Sequence, residues 1–215
     1  MNQEYQTFLS LLDQEKKDEA ILFIHDLLKQ GMDLIDMYEN FLVPSLANYA
    51  CDNESEDICI WKEHTRTSIV RTILDSTYPY LIEAKKRTPV HKLIVIACPE
   101  EEYHEIGALV AANYFYLMGY QVKYIGANTP GFEIKSALKV MKPNYLALSI
   151  TNYYHLMKTK HLVEDIKKDF PNIEIILGGQ AIKKYAETSG IHYDYILNSY
   201  DDIKAFRGDH DETSL

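Results

Sequence analysis

The sequence predicts an α/β protein in which a parallel five-stranded sheet follows a four-helix bundle cap. Three observations predict it. Up to about residue 87, apolar residues recur at helical spacing. After Thr88-Pro89 the period changes, and short apolar runs alternate with amphipathic stretches. The runs are apolar throughout rather than every second residue, as in strands covered by helices on both faces.

The elements follow in order. A first helix covers about 5–12. Ala20, Ile21, Ile24, Leu27 and Leu28 form a second stripe, with Gly31 as its C-terminal cap. Leu34, Ile35, Tyr38, Phe41 and Leu42 begin a third. The last runs through Val70, Ile73, Leu74, Tyr78 and Leu81, and Pro79 inside it kinks the helix or ends it early. Strands are expected at 93–97, 122–125, 145–150 and 173–177, with a weaker fifth at 193–197. Helices are expected between them at about 104–118, 132–141, 155–169 and 180–188. Five such units fit a flavodoxin/Rossmann-like sheet. The expected organisation is therefore a cap at 1–87, a sheet domain at 90–208 and a polar, flexible tail at 209–215.

Composition narrows the function classes. The chain has 215 residues, 47% of them apolar, enough for one or two packed cores. Its 22 basic and 32 acidic residues give a net charge of −10, which argues against gripping a phosphate backbone. Cys51, Cys59 and Cys98 form neither a CxxC pair nor an even set, so no disulfide framework or thiolate zinc site is expected. No signal peptide and no apolar run of the about 18 residues that span a bilayer is found, and a cytoplasmic setting is expected.

In open parallel sheets, ligands bind outside the carboxyl ends of the strands. That rule selects the loops at 99–103, 126–130, 151–155, 178–180 and 198–201. The first runs into Glu102-Tyr103-His104-Glu105-Ile106-Gly107. Imidazole nitrogen is a good donor to a transition metal, and a metal-bound histidine needs an acceptor on its other nitrogen. Glu102 is placed to supply one, and Gly107 leaves room for a close approach. On spacing alone the better reading is a plain one, with His104 a helix-start residue and Glu102 a favourable charge at a helix N-terminus. Ser149 and Thr151 end the third strand, and either hydrogen-bond a ligand or satisfy local backbone. Gly178-Gly179 ends the fourth, and either lets a bulky ligand pass or makes an ordinary turn.

Together, E-x-H-x-x-G, then S-x-T, then G-G at successive strand ends resemble the cobalamin-binding domain of methionine synthase, corrinoid methyl carriers and cobalamin-dependent photoreceptor regulators of the MerR type. The family pattern is D-x-H-x-x-G, S-x-L, G-G. The likeness covers about residues 90–200, and its glutamate two before the histidine places it nearest the regulatory branch. The resemblance implies that His104 is the lower axial ligand of cobalt, displacing the cofactor's own base, with Glu102 as its partner. It implies that Ser149, Thr151, Gly178 and Gly179 line the groove for the nucleotide tail. It also implies a cap whose W-x9-E-H motif lies over the upper face. Glu63-His64 match the end of that motif, while Asn53 stands where the tryptophan falls. At helical spacing, Glu63 is expected on the face of Val70 and Leu74.

The function the resemblance implies is a stand-alone regulatory protein without a DNA-binding domain. It would hold adenosylcobalamin or methylcobalamin, respond to supply or light, and signal through a protein partner or self-association. The alternatives are a corrinoid methyl carrier and a sensor of another tetrapyrrole, for which Tyr153, Tyr154 and His155 are the residues to inspect. No nucleophile elbow, Walker loop or dinucleotide glycine motif points to an enzyme.

Overall fold

A computed structural model describes residues 3–49, 56–85 and 89–211. The chain divides into two compact units, Met1–Ala84 and Lys85–Leu215.

The first unit is helical. α1 (Gln3–Asp13) and α2 (Lys17–Lys29) form a hairpin. α2 closes as a Schellman motif, in which Gly31 at φ 100° donates to Leu28 and Met32 donates to Leu27. α3 (Leu34–Met37) is capped by Asp33 and passes through a π-helical turn at Tyr38–Leu42 into α4 (Val43–Ala47). Pro44, which has no N–H to donate, stands just after that turn. α5 (Glu56–Ser76) and α6 (Tyr78–Ala84) divide the last stripe at Thr77, as Pro79 led us to expect. Phe8, Ile24, Tyr38, Phe41, Val70, Ile73 and Leu81 are buried in the core. Arg66 is buried too: it ion-pairs with Asp13, donates to the Ser45 carbonyl at 3.1 Å and lies over the Tyr49 ring at 4.5 Å. The pattern of apolar residues gave no sign of this charged clamp. Cys59 is disulfide-bonded, where three cysteines without paired spacing led us to expect no bridge.

The second unit is a parallel sheet of order β2-β1-β3-β4-β5. Its elements are β1 (Leu93–Ala97), α7 (Ile106–Leu117), β2 (Gln121–Tyr124), α8 (Gly131–Met141), β3 (Tyr145–Ser149), α9 (Leu156–Asp169), β4 (Glu174–Gly178), α10 (Gln180–Ser189), β5 (Tyr195–Ile196) and α11 (Tyr200–Asp211). Alternation along the strands makes two different faces. Val95, Ala97, Leu146, Leu148, Ile175 and Leu177 pack with residues of α8, α9 and α10 in an aliphatic core. On the other face Tyr145 and Tyr195 meet Phe206 of α11, and Phe115 of α7 meets the same ring edge-on. α11 was not foreseen, because its apolar residues are sparse. It runs to Asp211, into the stretch expected as a tail.

Candidate functional site

The strand order reverses between β1 and β3, which opens a crevice at their carboxyl ends. The loop after β1 is laced to the loop after β2. Cys98 N–H donates to the Gly126 carbonyl at 3.0 Å, and Thr129 N–H to the Cys98 carbonyl at 3.0 Å. Asn128 N–H donates to the Glu102 carbonyl at 2.9 Å, while its side chain accepts from Glu101 N–H at 2.8 Å. Glu101 holds a left-handed conformation, φ 70°, and its carboxylate reaches Lys158 of α9 at 2.5 Å.

This lacing buries Glu102 completely. Its Oε1 accepts from His104 Nδ1 at 2.6 Å and from His104 N–H at 3.1 Å. Its Oε2 accepts from the N–H groups of Thr151 and Asn152 at 2.8 and 2.9 Å. Burial by itself raises the carboxyl's pKa. The bonds from the His104 ring and from the Asn152, His104 and Thr151 amides outweigh it, and hold the pKa at about 2. The carboxylate is therefore charged, and it fixes Nδ1 of His104 as the donor. Metal ligation would use Nε2 of the neutral ring. The ring is 53% exposed, so it is presented outward rather than packed.

Around this centre, Cys98 lies beneath the loop, its thiol directed at the His104 carbonyl at 3.8 Å. Burial first, then the Glu102 charge, pushes the Cys98 pKa up to about 12, so it stays a thiol. Glu105, at the N-terminus of α7, accepts from the Tyr124 hydroxyl at 2.7 Å.

The structure brings Glu102, His104 and Thr151 together, with Gly107 in the first turn of α7. Thr151 takes part through its backbone. β3 ends at Ser149, so Thr151 lies past the strand, and the shared-face argument for the two hydroxyls does not reach it. Ser149 is 8% exposed and pairs in register with Gly178. No hydrogen bond joins its hydroxyl to another described residue. A Cβ at Gly107 would meet nothing within 4 Å, so space above the helix start is open. The paired glycines have a different reason. A Cβ at Gly178 would lie 2.8 Å from the Leu197 carbonyl oxygen, and one at Gly179 2.4 Å from that of Ile150. Gly179 also has φ 100°. The fold itself therefore requires both, whatever ligand passes them.

Glu63 and His64 lie on α5 of the helical unit, and both are exposed. Glu63 shares a turn position with Val70 but precedes the buried part of the helix, so the face they share is wet at its start. Asn53 lies outside the described residues. Sequence reasoning missed Asn152, whose backbone bonds Glu102 while its side chain caps the next turn. An Asn at a strand end is a recognisable turn-former, but nothing local named its partner.

A single imidazole fits a metal whose remaining positions are filled by its own macrocycle. The open space at Gly107 fits a bulky ligand close to the ring. Fold and site thus define an open α/β domain offering one carboxylate-fixed histidine at the β1 edge of the crevice. Residues 92–202, just over half of the chain, match the family model described as B12 binding domain, and the chain belongs to that family. It is 24% identical over 154 residues to the HTH-type transcriptional repressor CarA of Myxococcus xanthus, covering 72% of this chain and 50% of CarA. It is 25% identical over 151 residues to CarH of the same organism, covering 69% and 48%. The chain thus spans about half the length of the curated relatives it matches. The monomethylamine corrinoid protein of Methanosarcina barkeri superposes with TM-score 0.76 at 14% identity, over 94% of this chain and 96% of that one. The methanol:cobalamin methyltransferase complex MtaBC of M. barkeri gives TM-score 0.52 at 16% identity, over 97% and 79%. Among the described residues, no helix is long and apolar enough to cross a membrane.

Proposed function

We propose that this chain is a cobalamin-binding regulatory module in which His104 is the lower axial ligand of cobalt. One observation carries the ligand assignment: a fully buried, ionised Glu102 bonded to Nδ1 of a half-exposed histidine. The carboxylate keeps the proton on Nδ1, raises the basicity of Nε2 and stops the ring from turning. Ser149 and the crevice beside Gly178 receive the nucleotide tail, and Thr151 and Gly179 flank it. Glu63 and His64 of the helical unit are proposed as further cofactor-binding residues. When bound, the cofactor supplies a cobalt–carbon bond that light or methyl transfer breaks. These residues hold and orient the cofactor.

Similarity to the two repressors over about 70% of the chain supports a regulatory role. The module reads the adenosyl or methyl form and passes its state to a protein partner or to a second copy. The charge of −10 supports that output over direct contact with nucleic acid. A second reading is a methyl carrier, favoured by the superposition on a corrinoid protein over nearly its whole length.

The deciding experiment loads the protein with adenosylcobalamin in the dark, removes free cofactor, and compares spectrum and elution volume before and after green light. The regulatory reading expects a retained corrin spectrum and a light-dependent change in elution. Retention with no change after light favours a supply sensor or the carrier. His104→Ala should weaken retention at least tenfold and abolish the histidine-ligated spectrum. Unchanged retention and spectrum in that variant would remove the axial assignment.

A further inference from the structure

Past β3 the chain makes a 3-10 turn at Tyr153–His155. Asn152 caps it, its side chain accepting from Tyr154 N–H at 3.1 Å. The Asn152 amide itself is held by Glu102, whose other oxygen holds His104. A short chain of hydrogen bonds thus fixes this turn relative to the imidazole. Lys158, in the first turn of α9, is pinned by Glu101.

The turn carries rings that the interior does not use. Tyr153 and Tyr154 lie with ring centroids 3.9 Å apart at 35°. Tyr185 of α10 stands 6.2 Å from Tyr153. The three are 52%, 71% and 45% exposed. Clustered exposed apolar surface marks a binding site more often than chance, and tyrosine combines an apolar face with a hydrogen-bonding tip.

We propose that Tyr153, Tyr154 and Tyr185 form a platform that seats the edge of a flat macrocycle ligated by His104. Their ring faces meet its apolar edge. The inference rests on the cobalamin reading above and deepens it. The fixed link from His104 through Glu102 and Asn152 selects this occupant. A protein-docking patch has no need of a set distance from one imidazole, whereas a ligand spanning both does.

The test titrates the full chain with adenosylcobalamin in the dark, reading Kd from the visible spectrum. Y153A/Y154A should raise Kd at least tenfold while the histidine-ligated spectrum persists at saturation. Y153F/Y154F, which keeps the faces, should stay within threefold. Asn152→Ala, which loosens the turn, should fall between them. An unchanged Kd in the double alanine variant overturns the platform, as does an equal loss in the phenylalanine variant. An unchanged Kd with an altered elution volume also overturns it, and assigns the rings to a protein contact. Failure of the wild-type chain to retain adenosylcobalamin is a separate result, which removes the cobalamin reading first.

Discussion

Among the described residues, each unit of this protein buries one charged side chain, Arg66 in the first and Glu102 in the second, and the two do different work. In the helical unit Arg66 is 5% exposed and ties α1, α4, α5 and the Tyr49 ring together. Nothing it touches is presented for chemistry. In the sheet unit Glu102 is 0% exposed, and it ties a half-exposed histidine to a loop about fifty residues along the chain. A buried ion is costly unless its bonds are complete. The helical unit uses that requirement to lock a core. The sheet unit uses it to hold one imidazole at the surface in one orientation.

Predictions sharpen this contrast in order of size. Gly179→Ala should be the most damaging, because its methyl meets the Ile150 backbone and its φ is positive. We expect a loss above about 4 kcal/mol in urea unfolding, or no folded protein at all. A mild loss would mean that the turn can relax. Glu102→Ala leaves the amides of His104, Thr151 and Asn152 without their acceptor. It should cost about 3–5 kcal/mol, as when one partner of a buried charged network is removed. Cobalamin retention should fall with stability, whereas a stability loss with normal retention would break the link between the two roles.

Arg66→Ala should cost about 2–3 kcal/mol, less than Glu102→Ala because its partner Asp13 stays hydrated. The near-ultraviolet signal of the Tyr49 environment should change. Gly107→Ala should split the two readouts. Its methyl enters open space, so helix propensity raises stability by about 0.5–1 kcal/mol. Cofactor retention should fall if the macrocycle approaches that point, and equal retention would place the ligand elsewhere. The smallest effect is expected at Glu63 and His64. Both are exposed, and alanine at either should move stability by less than about 0.5 kcal/mol. Any effect should appear only in the upper-ligand spectrum.

Much of the sheet unit was legible beforehand, because its strands are continuous apolar runs and its turns carry glycine or proline. The strand carrying Val95 and the one carrying Leu146 fell within a residue of their observed ends, while α11 was lost because Ile203 and Phe206 make too sparse a stripe. In the site, spacing put Glu102 and His104 within reach of each other, but their pairing was read from the resemblance. The backbone role of Thr151 was missed, since a hydroxyl invites attention while a backbone amide is invisible in a sequence. The glycine pair was found, but part of its reason is steric crowding from Ile150 and Leu197, which no local pattern encodes.

What the sequence determined by itself are features set within a few residues. They are the helix period, the Schellman stop at Gly31, the break at Pro79, the buried strands and a histidine just past the first of them. These depend on backbone preference and neighbouring side chains, both local. Only the tertiary structure decided that Glu102 accepts from Thr151 and Asn152, that Arg66 closes the helical core, and that Tyr153 and Tyr154 meet Tyr185. Those contacts join residues far apart along the chain. Whether two such groups meet is fixed by how the layers pack, and a buried charge can be tolerated only where that packing completes its hydrogen bonds.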